Sequence, residues 1–449
     1  MAIQQQVVAE KNVPRFSIAG NFFSLGQMSF RFLEIVVRLF FNMLGLMWQM
    51  LLNQLGKRRY SPQTLLGQSL AMLCDSLGAT FIKIGQILST RCDLLPQEVI
   101  QPLIRLQDCT EPFAFHFVPA LIKAEFGRPM TEIFAEFQEE PVSSASVASV
   151  YQASLYNGKK VAVKIRRPDV VRRVRNDLRI MCLLARCLAW LPMMRLVPVV
   201  DMINEFGRII EQQLDFRLEA MNNRIFQEHF GHNHQVQLPL LIEEYCGEAI
   251  LTMEFLDGLV RSDELGWGEI EYQESLITGL RALYSMIFLN GFIHCDMHPG
   301  NFYFRKGGCV VILDTGFVAM LSHDDRYKFS KFFFDIATNA GKDCARILYE
   351  TASYETANFN RDTFDQAVIE LIARNAGSNA ADFQVATFAS QIFDVQRRYG
   401  LRGSTSFTMA ILSLLVFEGI AKQFYPHLDF QGEARPFLLQ ALLQKAASG

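Results

Sequence analysis

The stretch FIHCDMHPGNFYFRKGGCVVILDTG, Phe292 to Gly316, sets two histidines, a cysteine and an aspartate within five residues, then places an asparagine, a short hairpin pattern and a second aspartate behind them. A metal centre would draw on His294, Cys295, Asp296 and His298. Side chains at successive positions of one turn cannot all converge on one ion, and no second cluster with metal-ligand spacing accompanies them. The other concentration of histidine, Glu228 to His234, reads as a polar loop. The order of the residues suits a different chemistry. His294-x-Asp296 is followed five residues on by Asn301, then by strand-turn-strand, then by Asp314-Thr315-Gly316, the order of a phosphotransfer loop and its metal-binding aspartate. Asp296 on a loop can accept or orient an attacking hydroxyl. Asn301 and Asp314 are hard oxygen ligands suited to Mg²⁺ bridging the phosphates of ATP. The hairpin between them returns Asp314 to the end of the sheet where Asn301 stands.

Upstream, VYQASLYNGKKVAVKIRR, Val150 to Arg167, alternates around an Asn157-Gly158 turn, a strong hairpin signal. Val161, Val163 and Ile165 share one face and Lys164 points to the other, where its ammonium can reach the α- and β-phosphates. A lone V-A-V-K carries little information. V-A-V-K, H-x-D-(x)4-N and D-x-G in this order carry much more. Helical periodicity runs from Ser61 to about Glu125, broken at Leu94-Leu95-Pro96, and again from about Asp169 to Phe230. An apolar strand follows at AILTMEFLDG, Ala249 to Gly258, and everything after Gln273 except the hairpin at Phe302 to Leu313 reads helical. A small strand-rich region followed by a large helical one is the outline of a bilobal nucleotide-binding enzyme.

At 449 residues the chain has no difficulty burying a core, and its net charge of −3 argues against a general nucleic-acid binder. Nine cysteines without a CxxC pair read as reduced thiols in a cytosol-facing protein. The first apolar run starts too late for a signal peptide, so secretion is not expected. That run, Ser29 to Arg59, holds eighteen uncharged residues between Arg38 and Lys57, about the shortest length able to cross a bilayer. Asn42, Gln49, Asn53 and Gln54 count against a span. With Arg31 and Arg38 at one end and Lys57, Arg58 and Arg59 at the other, it suits a helix in the interface of an anionic membrane, or an apolar helix buried against the protein. A second apolar segment, Phe407 to Phe417, is too short to span, ends at Glu418 and reads as a core helix. The basic run from Ile165 to Arg179 reads as a solvated helix rather than a phospholipid or nucleic-acid patch.

The sequence resembles the UbiB family of atypical kinases and ATPases, also called AarF-like, from about Leu65 to Leu428. FIKIGQILSTRCDLLP carries the K-x-G-Q motif at Lys83 and Gln86, followed by LQDCTEP at Leu106 to Pro112. PVSSASVASVYQA, Pro141 to Ala153, is similar to the Ala-rich loop that covers the phosphates, which implies nucleotide contacts at Ser143, Ser144, Ala145 and Ser146 beside Lys164. QLDFRLEAMNNR, Gln213 to Arg224, resembles the E-x-D…E-A-x-N helix and implies Glu219 as the ion-pair partner of Lys164, with Gln213 and Asp215 as its first motif positions. HCDMHPGN is close to H-x-D-x-H-P-G-N. The end of the strand near Glu254 and Leu256 is expected to contact the nucleotide as well.

The resemblance implies an α+β, protein-kinase-like bilobal fold with a helical N-terminal extension. The expected units are a membrane-associating segment, 1–60; an extension with the K-x-G-Q motif, 61–130; an N-lobe, 131–256; and a C-lobe, 257–449. It further implies ATP and Mg²⁺ as cofactors, Asp296, Lys164 and Glu219 as catalytic residues, and Asn301 and Asp314 as metal ligands. It also implies a peripheral place on the cytoplasmic face of a membrane, the bacterial inner membrane, supporting biosynthesis of isoprenoid quinones such as ubiquinone. An isoprenoid quinone precursor or membrane lipid, and quinone-biosynthesis enzymes, are the implied partners. Three departures stand out. Gln213 replaces the first acid of E-x-D, Thr315 replaces the Phe of D-F-G, and Ser143 and Ser144 replace alanines, adding hydroxyls near the phosphates. Many bacterial members carry a C-terminal transmembrane hairpin, and no such pair of apolar segments follows Leu428 here. The rivals are a catalytically silent scaffold binding nucleotide or quinone precursors, and an ordinary Ser/Thr protein kinase. Retention of all five polar site residues counts against the first, and the lack of an A-P-E-like segment after Gly316 counts against the second.

Overall fold

The computed structural model describes residues 24–56, 60–89, 95–106, 111–188, 199–264, 269–375 and 384–446. The expected basic residues Lys57, Arg58 and Arg59, the Thr90–Leu94 part of the K-x-G-Q segment and residues 107–110 of LQDCTEP lie outside them. The extension consists of α1 (Ser24–Gln54), α2 (Pro62–Leu77), α3 (Ala79–Ser89) and α4 (Gln97–Ile104). Ser61 caps α2 by accepting the Thr64 N–H, with Pro62 in the first helical position. Gly85 belongs to K-x-G-Q for a packing reason, because a Cβ there would lie 2.3 Å from the Leu106 side chain. Cys74, Leu77, Phe81, Ile82, Leu103 and Leu106 form the core of this layer.

Only part of α1 joins that core. Ile35 is buried, with Met28 and Phe32 packed beside it. Further along, Phe40, Phe41, Met47 and Trp48 are each more than half exposed. The buried-helix alternative for this segment is therefore not what the fold shows. Arg31 does not face outward as an interfacial cation. Its guanidinium donates to Asp177 at 2.8 and 3.1 Å, to Glu34 at 2.8 Å and to the Leu77 carbonyl at 2.7 Å.

The N-lobe begins earlier than its first strand. α5 (Val118–Phe126) and α6 (Met130–Ile133) precede β1 (Phe134–Phe137), β2 (Ser143–Ser144), β3 (Ala148–Leu155) and β4 (Lys160–Arg166). Then come α7 (Val170–Leu188), α8 (Val199–Gln213), α9 (Phe216–Phe230), β5 (Val236–Gln237), β6 (Leu241–Cys246) and β7 (Ile250–Glu254). The sheet runs β1-β3-β4-β7-β6, with β2 paired to β3. Gly158, at φ +80°, makes the β3–β4 turn, and the register sets Val150 opposite Lys164. Val161, Val163 and Ile165 are fully buried under the sheet together with Val118, Ile122, Tyr151 and Phe134. Phe113 and Phe115 pack against the same cluster, so this stretch, which helical periodicity alone assigns to the extension, is N-lobe core. Burying three such aliphatic side chains stabilises the hairpin by roughly 1.5–3 kcal/mol each, and it is this burial that holds Lys164 on the opposite face.

The C-lobe is mainly helical, from β8 (Val260–Arg261) and α10 (Glu269–Tyr284) through β9 (Phe292–His294), β10 (Phe302–Arg305), β11 (Cys309–Ile312) and β12 (Val318–Met320). β10 pairs with β11 and β8, β11 with β5, and β9 with β12. α11 (His323–Ala337), α12 (Gly341–Glu350), β13 (Ala352–Glu355), α13 (Arg361–Asn375), α14 (Val385–Tyr399), β14 (Leu401–Gly403), α15 (Thr405–Phe424) and α16 (Phe430–Ala446) complete it. The helical reading after Gln273 outside the hairpin at Phe302 to Leu313 is corrected by β9, β12 and the β13–β14 pair, which are three or four residues long and leave no period in the sequence. α15 is a buried core helix, as its composition implies. Glu418 is not at its end but inside it, 1% exposed, accepting the Val385 and Ala386 N–H groups at 3.0 and 2.6 Å and pairing with Lys422. That carboxylate caps α14 from within the core.

Candidate active site

Lys164, Glu219 and Asp314 arrive from three elements and meet. The Lys164 Nζ donates to Glu219 Oε1 and Oε2 at 2.7 and 2.9 Å and to Asp314 Oδ2 at 2.7 Å. Glu219 is not paired within its own helix. Arg217 binds Asp215, and Arg224 binds Glu243. Burial alone would lower the Lys164 pKa, but the two carboxylates hold the ammonium charged and above its usual range. Burial would likewise raise Asp314, yet Lys164 and the Gly316 N–H, 2.8 Å from Oδ1, keep its carboxyl well below the carboxylate range. One ammonium cannot satisfy both acids equally. Burial and the neighbouring Asp314 push Glu219 up to about 7.

The segment from His294 to Asn301 folds as a turn tied to itself and to Asp314. His294 is fully buried, its Nδ1 accepts the Asp296 N–H at 3.2 Å, and its Nε2–H therefore donates to the Asp314 carbonyl. Both ring nitrogens are committed, and the Cys295 thiol is buried and pushed up to about 12 by that burial, which disposes of the metal cluster considered for this stretch. Asn301 Nδ2 donates to the Asp296 carbonyl at 3.0 Å and to its carboxylate at 3.2 Å. The His298 ring accepts the Gly300 N–H at 3.0 Å, and a Cβ on Gly300 would lie 2.6 Å from that ring. Burial alone would raise the Asp296 carboxyl. His298, whose Nε2 is 3.6 Å away, with Lys83 and His294, brings it below the usual range. The Leu313 N–H donates to the Asn301 carbonyl at 3.0 Å, which sets Asp314 next to the Asn301 end of the hairpin.

Lys83 on α3 acts electrostatically on Glu219, Asp296 and Asp314 together, so the K-x-G-Q helix lies at the cleft. Gln86 does not share that role. Its amide donates to the Leu106 carbonyl at 3.1 Å and ties α3 to the segment after α4. The hydroxyl of Ser144 is likewise committed, 3.0 Å from that of Ser149 and accepting from Arg167 at 2.9 Å, while Ser143 is exposed. The added hydroxyls thus fasten the loop at Ser144 rather than standing free. Ala145 accepts a second bond from Arg167 at 2.8 Å, and Ser146 is buried at the tip between β2 and β3. Asp215 caps α9 and pairs with Arg217, and Gln213 sits at the end of α8, so both shape the start of the Glu219 helix. Glu254 ends β7 and donates its N–H to Leu240, and Leu256 lies beyond the ladder in the segment joining the lobes.

Thr315 and Asn222 take positioning roles that their motif places do not by themselves specify. Thr315 is buried and its hydroxyl donates to the Glu219 carbonyl at 3.0 Å, while Asn222 Nδ2 donates to the Thr315 carbonyl at 2.9 Å. The residue that removes the aromatic of D-F-G thus installs a polar clamp between D-T-G and α9. Asn222 had a signal, the final position of E-A-x-N. His298 had one too, the second histidine of H-x-D-x-H.

Comparison with known proteins follows the same lines. The profile of the ABC1 atypical kinase-like domain matches residues 105–348. A protein named "Probable protein kinase UbiB" from Marinobacter nauticus is 30% identical over 385 residues, covering 84% of this chain and 70% of its own length. Its namesake from Vibrio cholerae is 30% identical over 386 residues, covering 83% and 70%. Among solved structures, Rv3197 of Mycobacterium tuberculosis in complex with erythromycin is similar at 21% identity and a TM-score of 0.46, over 77% of this chain and 91% of that one.

Proposed function

The chain belongs to the ABC1 atypical kinase-like family, and from that premise we propose that it is an ATP- and Mg²⁺-using phosphotransferase or ATPase of the UbiB type, acting at a membrane in isoprenoid quinone biosynthesis. The observation that carries the reading is the Lys164 ammonium held between Glu219 and Asp314 at 2.7 Å, beside the Asp296–Asn301 turn. Burying such a group costs several kcal/mol before its partners offset it. A scaffold has no use for that expense.

The donor set fits a magnesium nucleotide. Asn301 uses its nitrogen on Asp296, which leaves its oxygen for a cation, and each Asp314 oxygen carries one hydrogen bond and keeps lone pairs in reserve. When bound, Mg·ATP supplies the transferable phosphoryl group with its charge partly neutralised. Lys164 would hold the phosphates, and Glu219 fixes the direction of its ammonium. Asp296, held by Asn301, would orient an acceptor hydroxyl and take its proton.

Two features support a water or lipid-borne acceptor over a protein one. Lys83 of the extension acts electrostatically on Asp296, the residue an acceptor must meet. After Gly316 the chain passes through Phe317 and β12 and reaches α11 at His323, with no long loop to hold a peptide. The exposed apolar stretch of α1 supports a membrane-associated position. The cytoplasmic face, quinone-biosynthesis enzymes as neighbours and an isoprenoid quinone precursor as substrate class are proposed from the family resemblance alone. The test is Mg²⁺-dependent ATP binding and turnover by the wild type and by Asp314→Asn, set out below.

A further inference from the structure

The basic run that reads as a solvated helix face folds into something else. Arg172, Arg175, Asn176 and Arg179 stand at i, i+3, i+4 and i+7 of α7 and share one face. That face, with Arg166 and Arg167 across from it, lines a cavity of about 380 Å³. Lys164, Asp296, Asn301 and Asp314 do not line it, so it is separate from the cleft. Its lining holds five arginines and one carboxylate, Asp169. Arg166 is paired with Glu248 and Arg167 is bonded to Ser144 and Ala145, so the three arginines of α7 carry the site.

The guanidinium groups on the α7 face are poorly satisfied by the protein. Arg172 reaches Asp169 at 3.3 Å and Arg175 reaches Glu211 at 3.4 Å, long contacts in which both arginines are more than half exposed. Exposed pairs of this kind contribute little and yield to a better partner. The Nε of Arg179 is buried and has no hydrogen-bond partner among the described residues. A buried donor left in that state is unfavourable unless a ligand brings an acceptor. The first turn of this nineteen-residue helix, from Val170 to Arg172, also lines the cavity and adds the positive end of its dipole there.

We infer that this cavity binds a phosphate-bearing ligand, a mono- or diphosphate group held by Arg172, Arg175 and Arg179. The planar guanidinium fork matches phosphate oxygens in pairs, and a compact polyanion answers both the excess charge and the orphaned donor. The phosphate can come from a free phosphorylated small molecule or from the headgroup of an anionic lipid. Two arms separate these sources. In the first, pyrophosphate is titrated calorimetrically into the full chain without Mg²⁺, so that the proposed metal-dependent cleft does not contribute. In the second, flotation is compared on phosphatidylcholine vesicles with and without phosphatidic acid.

The variants are R172Q/R175Q, which changes two exposed side chains and leaves the fold intact, R179Q, and R173Q as a control outside the cavity. Pyrophosphate affinity is expected to fall at least about tenfold in R172Q/R175Q and in R179Q, and to stay within about twofold in R173Q. If the loss appears only in the phosphatidic-acid increment of flotation, the ligand is a lipid headgroup and the site stands. Equal behaviour of wild type and both cavity variants in both arms overturns it.

Discussion

Thr315 shows how one side chain can change meaning between sequence and structure. As a letter it removes the aromatic of D-F-G. In the fold its hydroxyl holds the Glu219 carbonyl while Asn222 holds its own. Thr315→Val keeps the shape and removes the bond, leaving a buried carbonyl short of a donor. We expect a loss of about 1 kcal/mol in urea unfolding, and an unchanged midpoint would mean that the clamp is idle. Glu219 gives a pH dependence. Its carboxyl, raised from the ordinary 4.5 to about 7 by burial and Asp314, holds its proton more tightly in the folded than in the unfolded chain. The folded state therefore binds more protons across that window, and stability of the nucleotide-free protein falls as pH rises from about 4.5 to about 7. Asp314, depressed rather than raised, adds stability that is present throughout this window and is lost only at lower pH, so it does not alter the slope here. Glu219→Gln should flatten the slope in thermal melts at stepped pH. The same slope in variant and wild type would show that Glu219 stays ionised throughout.

Among the elements, α3 and α1 carry the parts that ordinary kinase logic does not supply. The K-x-G-Q residues divide their work, with Lys83 facing the acids of the cleft and Gln86 fastening α3 to Leu106. Lys83→Ala should alter nucleotide affinity or turnover while leaving the melting temperature near wild type. Gln86→Ala should cost about 1 kcal/mol of stability and leave nucleotide affinity unchanged. The reverse pattern would contradict this division. For α1, Phe41→Asp with Trp48→Asp should weaken binding to anionic vesicles at least tenfold, since each side chain buries roughly 1.5–3 kcal/mol of apolar surface. Flotation equal to wild type would place the membrane contact elsewhere. Removing residues 1–60 outright is a poorer experiment, because it strands the buried Asp177 without Arg31. Elements with a long period or a turn signature were legible in the sequence, including the β3–β4 hairpin, the β10–β11 hairpin and α15. The short β9, β12, β13 and β14 were not, because three or four residues carry no pattern. Nor was the partner of Gln86 or of Ser144, since a side-chain hydrogen bond to a distant backbone leaves no trace in spacing.

At the scale of the whole molecule, a small sheet and a large helical body meet at one cluster of charges, with the extension laid across it. The order V-A-V-K, H-x-D-(x)4-N and D-x-G was legible in the residues, helped for V-A-V-K by a strand whose buried Val163 and Ile165 fix the direction of Lys164. E-A-x-N and the role of Glu219, by contrast, were reached only through the family resemblance. How closely Lys164 is shared between two acids was not legible, because it depends on the approach of three elements far apart in sequence. The central claim is that this cluster binds ATP through a divalent cation. The direct test is the ATP affinity of wild type and Asp314→Asn, measured by calorimetry with and without Mg²⁺, on protein whose fold is checked by circular dichroism. The account predicts that Mg²⁺ tightens ATP binding to the wild type at least about tenfold and has no effect on Asp314→Asn, because the charged oxygen ligand has become a neutral amide. Equal Mg²⁺-dependent tightening in both proteins would contradict it.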